Sequence, residues 1–227
     1  MSQAFQGIAG PKEFARASDV SRETLDRLTA YGNLLEKWQR KINLVGRNTL
    51  PQIWHRHFFD SAQLWPLIVE FLNETSVSVT DQDAQVNLVD LGSGAGFPGL
   101  VIAILAREAA PEMQVHLIES DHRKCAFLRE AARITETNVV LHSDRIEDIE
   151  PFLANVITAR ACAPMDQLLS YAYRFWGPKT RAFFLKGQDV EKELVQATKS
   201  WSMVTSVSPS QTDGSGSVLC VKEVCSV

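Results

Sequence analysis

From Val86 to the end of the chain, short apolar runs alternate with amphipathic stretches. Val86, Leu88, Val89 and Leu91 read as a buried strand over 86–91, and the run that begins Pro98-Gly99-Leu100-Val101-Ile102-Ala103 reads as a helix over 98–108. The same reading gives strand 114–119 with helix 121–134 and then strand 138–142. Strand 155–160 with helix 165–175 and strand 180–186 with helix 189–198 follow. Two β-like runs, 202–207 and 217–224, flank a polar turn and close the pattern. Alternating strands and helices with right-handed crossovers predict a doubly wound, mostly parallel sheet covered on both faces, with an antiparallel C-terminal hairpin.

The first third of the chain has a different period. Leu25, Leu28, Tyr31, Leu34, Leu35 and Trp38 recur at helical spacing after Ser21, a suitable N-cap, and predict one long helix over 21–42. Pro51 breaks the pattern. A second helical stretch carries Ile53, Trp54, Phe58, Phe59, Leu64 and Trp65 up to Pro66, and a third covers 67–72. Residues 73–85 are polar and β-branched without sustained periodicity, and read as a linker. The organisation expected is an N-terminal helical extension (1–72), a linker (73–85) and a doubly wound domain (86–227). Residues 1–20 receive no element.

Composition narrows the class. A chain of 227 residues with 45% apolar and 22% charged residues can bury one sizeable core with an appendage. No apolar run approaches the roughly 18 residues that span a bilayer, and Met1-Ser2-Gln3-Ala4-Phe5-Gln6-Gly7 lacks a basic segment followed by an apolar one. A cytoplasmic protein without membrane partners is expected, with a monomer as the default. Cys125, Cys162, Cys220 and Cys225 form no C-x-x-C pair, so neither a metal site nor a disulfide framework is expected.

The net charge of −4 does not suggest a nucleic-acid binder. Locally the balance reverses. Between Glu36 and His57 the chain carries Lys37, Arg40, Lys41, Arg47 and Arg56 against Glu36 alone, with His55 and His57 beside them. A basic patch on an acidic protein is the footprint of a face that meets phosphates. A solvated helix face has the same composition.

The chemistry is concentrated at Asp90-Leu91-Gly92-Ser93-Gly94-Ala95-Gly96-Phe97-Pro98-Gly99. A strand, a glycine turn and a helix start present backbone N–H groups and a positive dipole end to a ligand. Glu119 ends the next strand, where an acidic residue accepts hydrogen bonds from ribose hydroxyls. Ribose is common to dinucleotides and S-adenosylmethionine. Asp90 favours the latter, because a carboxylate before the glycines would repel a pyrophosphate and attract the ammonium and sulfonium of a methionine. No G-x-x-x-x-G-K-[ST] loop is present to support nucleotide hydrolysis. The terminal hairpin is also how class I methyltransferases finish their Rossmann-like sheet. Asp90, Glu119, Asp144, Arg160 and Lys186 all fall at carboxyl ends of strands, where the ligand crevice should lie.

Several ordered motifs carry a resemblance over residues 25–224. They are Asn43-Leu44, Arg56-His57-x-x-Asp60-Ser61, the glycine motif with its Pro-Gly ending, and Glu119-Ser120 with Arg123-Lys124 and Phe127-Leu128. Arg145-Ile146-Glu147, Arg160-Ala161 and Lys186-Gly187 complete the series. With them the chain resembles the glucose-inhibited division protein B family, bacterial methyltransferases of guanine N7 in 16S ribosomal RNA. Members usually carry Asp-Ser where this chain has Glu119-Ser120, which keeps the carboxylate and lengthens its reach. The resemblance implies that Gly92 and Phe97 line the cofactor, that Ile146-Glu147 lie beside the adenine, and that Arg160 is near the methionine end or the target base. Asp144 sits where other methyltransferases contact adenine, but the resemblance places that contact at Ile146-Glu147.

The expected site is therefore Arg160 and Lys186 for catalysis, with Asp90, Gly92, Gly94, Phe97, Glu119, Ser120, Ile146, Glu147 and Arg160 on the cofactor. Lys37, Arg40, Lys41, Arg47, Arg56 and His57 are expected on RNA, whether 16S ribosomal RNA or the small ribosomal subunit. Guanine N7 suits these residues, because its methylation removes no proton and requires no general base. An Asn/Asp-Pro-Pro-aromatic loop for amine methylation is missing after Arg160, and Cys162 has no Pro-Cys context for attack on a pyrimidine. A methyltransferase for small molecules or protein side chains is the competing enzyme reading, and the basic helices speak against it. A non-catalytic cofactor-binding regulator is the third reading, opposed by the intact Asp90, glycines, Glu119, Arg160 and Lys186.

Overall fold

The computed structural model describes residues 7–75 and 85–227. Strands β1 (Val86–Leu91), β2 (Met113–Ile118), β3 (Val139–His142), β4 (Val156–Arg160) and β5 (Arg181–Lys186) are parallel, and β6 (Trp201–Pro209) and β7 (Ser217–Ser226) form the antiparallel hairpin. They make one sheet in the order β3-β2-β1-β4-β5-β7-β6. The chain winds outward from β1 to β3, returns to β4 beside β1, and winds the other way. That reversal opens a crevice above the carboxyl ends of β1 and β4. Gly92 and Arg160 stand next to each other there, because Leu91 pairs with Ala159.

Strand period decides which face each end residue serves. Val86 and Leu88 of β1 point into one core with Val156 of β4 and Phe183 and Leu185 of β5. Helices α5 (Gly99–Ala109) and α6 (His122–Ile134) and the N-terminal helices cover this face. Val89, Leu91, Ile157, Ala159, Ala182 and Phe184 point into the other core, under α7 (Met165–Tyr173) and α8 (Val190–Ala197). The same alternation sends Asp90, Thr158 and Arg160 to the first face and Lys186 to the second.

The expected elements are present with small shifts at their ends. α2 (Arg22–Gln39) is capped as predicted, Ser21 Oγ accepting the Thr24 N–H at 3.0 Å. Trp54–Phe59 is a π-helical turn that runs through the single turn α3 (Asp60–Ala62) into α4 (Leu64–Glu74). Pro66 lies in the first turn of α4, where its missing N–H costs nothing. Asn73 and Glu74 therefore belong to a helix and not to the expected linker, and 76–84 lie outside the described residues. α1 (Pro11–Ser18) was not anticipated; it buries Phe14 completely against Trp54 and Phe59. Fully burying one such side chain stabilises by about 1.5–3 kcal/mol. The N-terminal helices are not a separate layer. Leu28, Tyr31, Leu35 and Phe58 share one core with Leu88, Phe97, Leu100 and Phe127. No helix among the described residues is long and apolar enough to cross a membrane.

Candidate active site

The turn after β1 is held from three sides. Ser93 N–H donates to Ile118 O at 2.9 Å, and Tyr31 Oη donates to Ala95 O from α2. Gly94 N–H donates to Glu119 Oε2 and Asp121 N–H to Glu119 Oε1, each at 2.8 Å. Gly92 has φ +64°, and a Cβ there would lie 2.6 Å from Cys162 Sγ. Gly94 has φ +59° and only Gly92 O, at 3.8 Å, near its missing Cβ. Any side chain at Gly94 would fill the cavity in front of it.

That cavity, about 390 Å3, sits over β1, β2 and β4. Gly92, Gly94, Phe97, Glu119, Ser120, Ile146, Glu147 and Arg160 all line it. Leu44, Lys124, Asp144, Arg145, Cys162 and Tyr171 line it too. Leu44, Lys124 and Arg145 stand inside the sequence motifs, where they had no assigned role. Tyr171 carried no signal, since its position on α7 depends on where that helix lands; its hydroxyl donates to Glu147 Oε1 at 2.9 Å.

The chemistry of this lining fits S-adenosylmethionine. Glu119 holds two loop amides yet keeps lone pairs for ribose hydroxyls. Ile146 and Ile118 supply apolar contact suited to an adenine face, and the glycine turn leaves room for close approach.

Asp90 is placed differently from expectation. It is fully buried and absent from the cavity lining, so it does not present its carboxylate to a ligand. Its parity on β1 turns it beneath the glycine turn, against the start of α5. Oδ1 accepts the Thr158 hydroxyl at 2.8 Å, and a Cβ on Gly99 would lie 2.6 Å from Oδ2. Burial pushes its pKa up to about 6, against the hydrogen bonds from Thr158, Ser93 and Gly99. Asp90 thus supports the loop from below through the positive end of α5.

Arg160 joins three elements. Its guanidinium donates to Asp60 Oδ2 and Arg56 O, each at 3.2 Å, and to His57 Nδ1 at 2.9 Å. It also lies 4.8 Å from the Phe97 ring centroid, and His57 stacks on the same ring at 4.9 Å. His57 is buried, so the expected RNA contact is corrected: this side chain braces Arg160. Desolvation first, then the Arg160 and Arg56 charges, lowers its pKa to about 3. It is neutral, with Nδ1 accepting from Arg160. Nε2–H then donates to Thr49 Oγ1 at 2.8 Å, since the Thr49 hydroxyl is already spent on Gly46 O. Arg56 is also committed, donating to Asp213 Oδ2 at 2.8 Å and Thr212 O at 3.2 Å in the β6–β7 turn. Lys37, Arg40, Lys41 and Arg47 are exposed.

A second cavity of about 680 Å3 backs onto the first. Both are lined by Arg160, Ala161 and Cys162. Ala161 has φ +49°, a left-handed backbone that costs a non-glycine residue roughly 1–2 kcal/mol. The far side holds Lys186, whose ammonium lies 2.6 Å from Glu193 Oε2 on α8. The charged side chains around this space form three ion pairs, Arg56–Asp213, Arg160–Asp60 and Lys186–Glu193, with no net formal charge.

Comparison with known proteins agrees with this geometry. The family model described as rRNA small subunit methyltransferase G (GidB) matches residues 24–217. A protein of Paramagnetospirillum magneticum named ribosomal RNA small subunit methyltransferase G is 50% identical over 95% of this chain and 96% of its own. One of the same name from Rhodospirillum rubrum is 49% identical over 94% of this chain and 98% of its own. Among solved structures, the N-methyltransferase NodS of Bradyrhizobium japonicum, in complex with S-adenosyl-L-homocysteine, shares the fold with a TM-score of 0.51. It is 13% identical, over 83% of this chain and 97% of that one. Ribosomal protein L11 methylase of Lactobacillus delbrueckii shares it with a TM-score of 0.50 at 14% identity, over 71% of this chain and 79% of that one. The chain belongs to the rRNA small subunit methyltransferase G (GidB) family, S-adenosylmethionine-dependent methyltransferases of the class I fold.

Proposed function

We propose that the protein methylates N7 of one guanine in 16S ribosomal RNA, with S-adenosylmethionine in the smaller cavity and the target base in the larger one. The observation that carries this reading is the wall between the two cavities. It consists of Arg160, Ala161 and Cys162, and none of the three is a base at neutral pH. Burial first, then Asp90 and Glu119, pushes the Cys162 thiol up to about 11, so it stays protonated. That thiol is unsuited to attack a pyrimidine carbon. Guanine N7 needs neither a base nor a nucleophile.

When bound, S-adenosylmethionine supplies an electrophilic methyl group. Its methyl group would pass to the N7 lone pair as the bond to sulfur breaks, leaving a neutral thioether and a cationic purine. No proton leaves. The chain contributes orientation, which reaches ~7–11 kcal/mol in favourable cases. Glu119 and Ser120 hold the ribose, Ile146 and Glu147 the adenine side, and the Gly92–Gly94 turn the methionine end. Arg160, fixed by Asp60, His57 and Phe97, positions the methionine carboxylate or guanine O6. A larger cavity with paired charges accepts a neutral purine and tolerates the cation it becomes. Lys37, Arg40, Lys41 and Arg47 take the flanking phosphates, so the helices of residues 7–75 serve as an RNA-contact extension.

The test is to supply purified enzyme and labelled S-adenosylmethionine to small subunits from cells lacking the gene. Reduction followed by aniline should cut the 16S RNA at one guanine. Label on an exocyclic amine or a pyrimidine carbon would overturn the N7 assignment.

A further inference from the structure

Three carboxylates line the larger cavity, and two of them have both oxygens engaged. Asp60 Oδ1 accepts from Thr212 Oγ1 and Gln63 Nε2, and Oδ2 from Arg160. Asp213 Oδ1 accepts from Ser215, and Oδ2 from Arg56. Glu193 is different. Its Oε2 takes the Lys186 ammonium at 2.6 Å and the Met165 N–H at 3.0 Å, while Oε1 accepts from none of the described residues. The Lys186 side chain is only 9% exposed and that of Glu193 30%, so the pair is partly desolvated where both residues line the cavity.

We infer that Glu193 Oε1 and Lys186 Nζ form a guanine reader, with Oε1 accepting N1–H and the 2-amino group while Nζ donates to O6. This rests on the N7 reading proposed above. With N7 turned to the shared wall at Arg160–Cys162, the Watson–Crick edge points toward the opposite side of the cavity, where β5 ends and α8 begins. Around the purine, O6 adjoins N1–H, an acceptor beside a donor. The complementary groups must then be a donor beside an acceptor at close to hydrogen-bond distance from each other. Lys186 and Glu193 are such a pair. Adenine presents the reverse order, a 6-amino donor beside an N1 acceptor, and would leave both partly buried charged groups opposed. The Glu193 bond to Met165 N–H ties the reader to the first residue of α7, directly after the shared wall. Glu193 is a specificity-determining residue here, not a base, since no proton leaves N7.

The discriminating experiment compares 16S RNA in small subunits carrying guanine or inosine at the position the wild-type enzyme modifies. Inosine keeps N7, O6 and N1–H and lacks only the 2-amino group. Wild-type enzyme should prefer guanine by on the order of 10- to 100-fold in kcat/KM, the scale of one hydrogen bond to a charged group. Glu193→Gln keeps an acceptor for Met165 N–H and should fold and bind S-adenosylmethionine as wild type does. It should lower kcat/KM on guanine and compress the guanine-to-inosine ratio towards one. Glu193→Asp, which keeps the charge but withdraws it, should retain part of the ratio. A Gln variant slowed equally on both substrates overturns the inference and leaves Glu193 a structural partner of Lys186. A wild-type enzyme indifferent to inosine also overturns it. Neither outcome touches the N7 reading, which fails only if wild-type enzyme leaves N7 of guanine unmodified.

Discussion

Arg160 Nη2 and His57 Nδ1 lie 2.9 Å apart, although 103 residues separate them along the chain. The cation donates and the neutral imidazole accepts. A histidine in this position can brace an arginine only while unprotonated, which couples the geometry of the site to pH.

Stability should record that coupling. The folded-state pKa of His57 is about 3 against 6.5 unfolded, so below pH 6.5 the unfolded state binds the extra proton. His57 therefore destabilises the fold progressively as pH falls through 6.5 towards 3, at about 1.4 kcal/mol per pH unit. Asp90 acts in the opposite sense, because its folded pKa of about 6 is raised; its contribution is full below about 3.8 and is lost as pH rises through 6. The difference between wild type and His57→Phe isolates the histidine. Urea unfolding at pH 7 and pH 5 should show wild type losing about 2 kcal/mol relative to the variant. Parallel behaviour of the two proteins would mean that His57 is protonated in place.

Arg160→Lys tests whether the fork matters or only its charge. An ammonium cannot reach His57, Asp60 and Arg56 O together, nor lie flat over Phe97. Turnover should fall about 100-fold, with folding weakened by no more than about 1.5–3 kcal/mol. Single-turnover rates alongside thermal melts separate the two effects; an active Lys variant would reduce Arg160 to a point charge.

Thr158→Val removes the hydroxyl that Asp90 Oδ1 accepts and keeps the shape. The expected cost is about 1–3 kcal/mol at pH 8. It should shrink at pH 5, where Asp90 is mostly protonated in the fold. Melting temperatures at the two pH values give the answer, and a cost independent of pH would contradict a buried ionised Asp90.

Gly92→Ala should destabilise the loop twice over, through its φ of +64° and through a Cβ 2.6 Å from Cys162 Sγ. Adding Cys162→Ala should recover the steric part and leave the conformational part, roughly 1–2 kcal/mol. Calorimetric affinity for S-adenosylmethionine and thermal stability of the four proteins complete the cycle. Simple additivity would place the thiol away from the loop.

Replacing Lys37 and Arg40 with Gln should flatten the salt dependence of RNA binding by about 0.7–0.9 units for each phosphate no longer neutralised. Affinity for S-adenosylmethionine should be unchanged. An unaltered slope, read from filter binding between low and moderate salt, would make this an ordinary solvated face.

What the sequence by itself determined was local and periodic. Short apolar runs marked the strands of the parallel sheet, helical spacing marked α2, amphipathic stretches marked the crossover helices, and Ser21 marked a start. The residues lining the smaller cavity were legible because a doubly wound sheet brings the carboxyl ends of its strands to one edge, so Gly92, Glu119 and Arg160 meet wherever such a sheet forms. α1 escaped notice because eight residues show too little periodicity, and Phe14 is buried only by partners from 54–59. Asp90 was placed at the right strand end but on the wrong side, since its exposure depends on α5 covering that face. His57 and Arg56 read as members of a basic patch because composition cannot distinguish a solvated cation from one paired across the fold. Their partners, Arg160 and Asp213, lie 103 and 157 residues away. Only packing the helices against the sheet and the hairpin against the helices brings them together, and no local pattern encodes that.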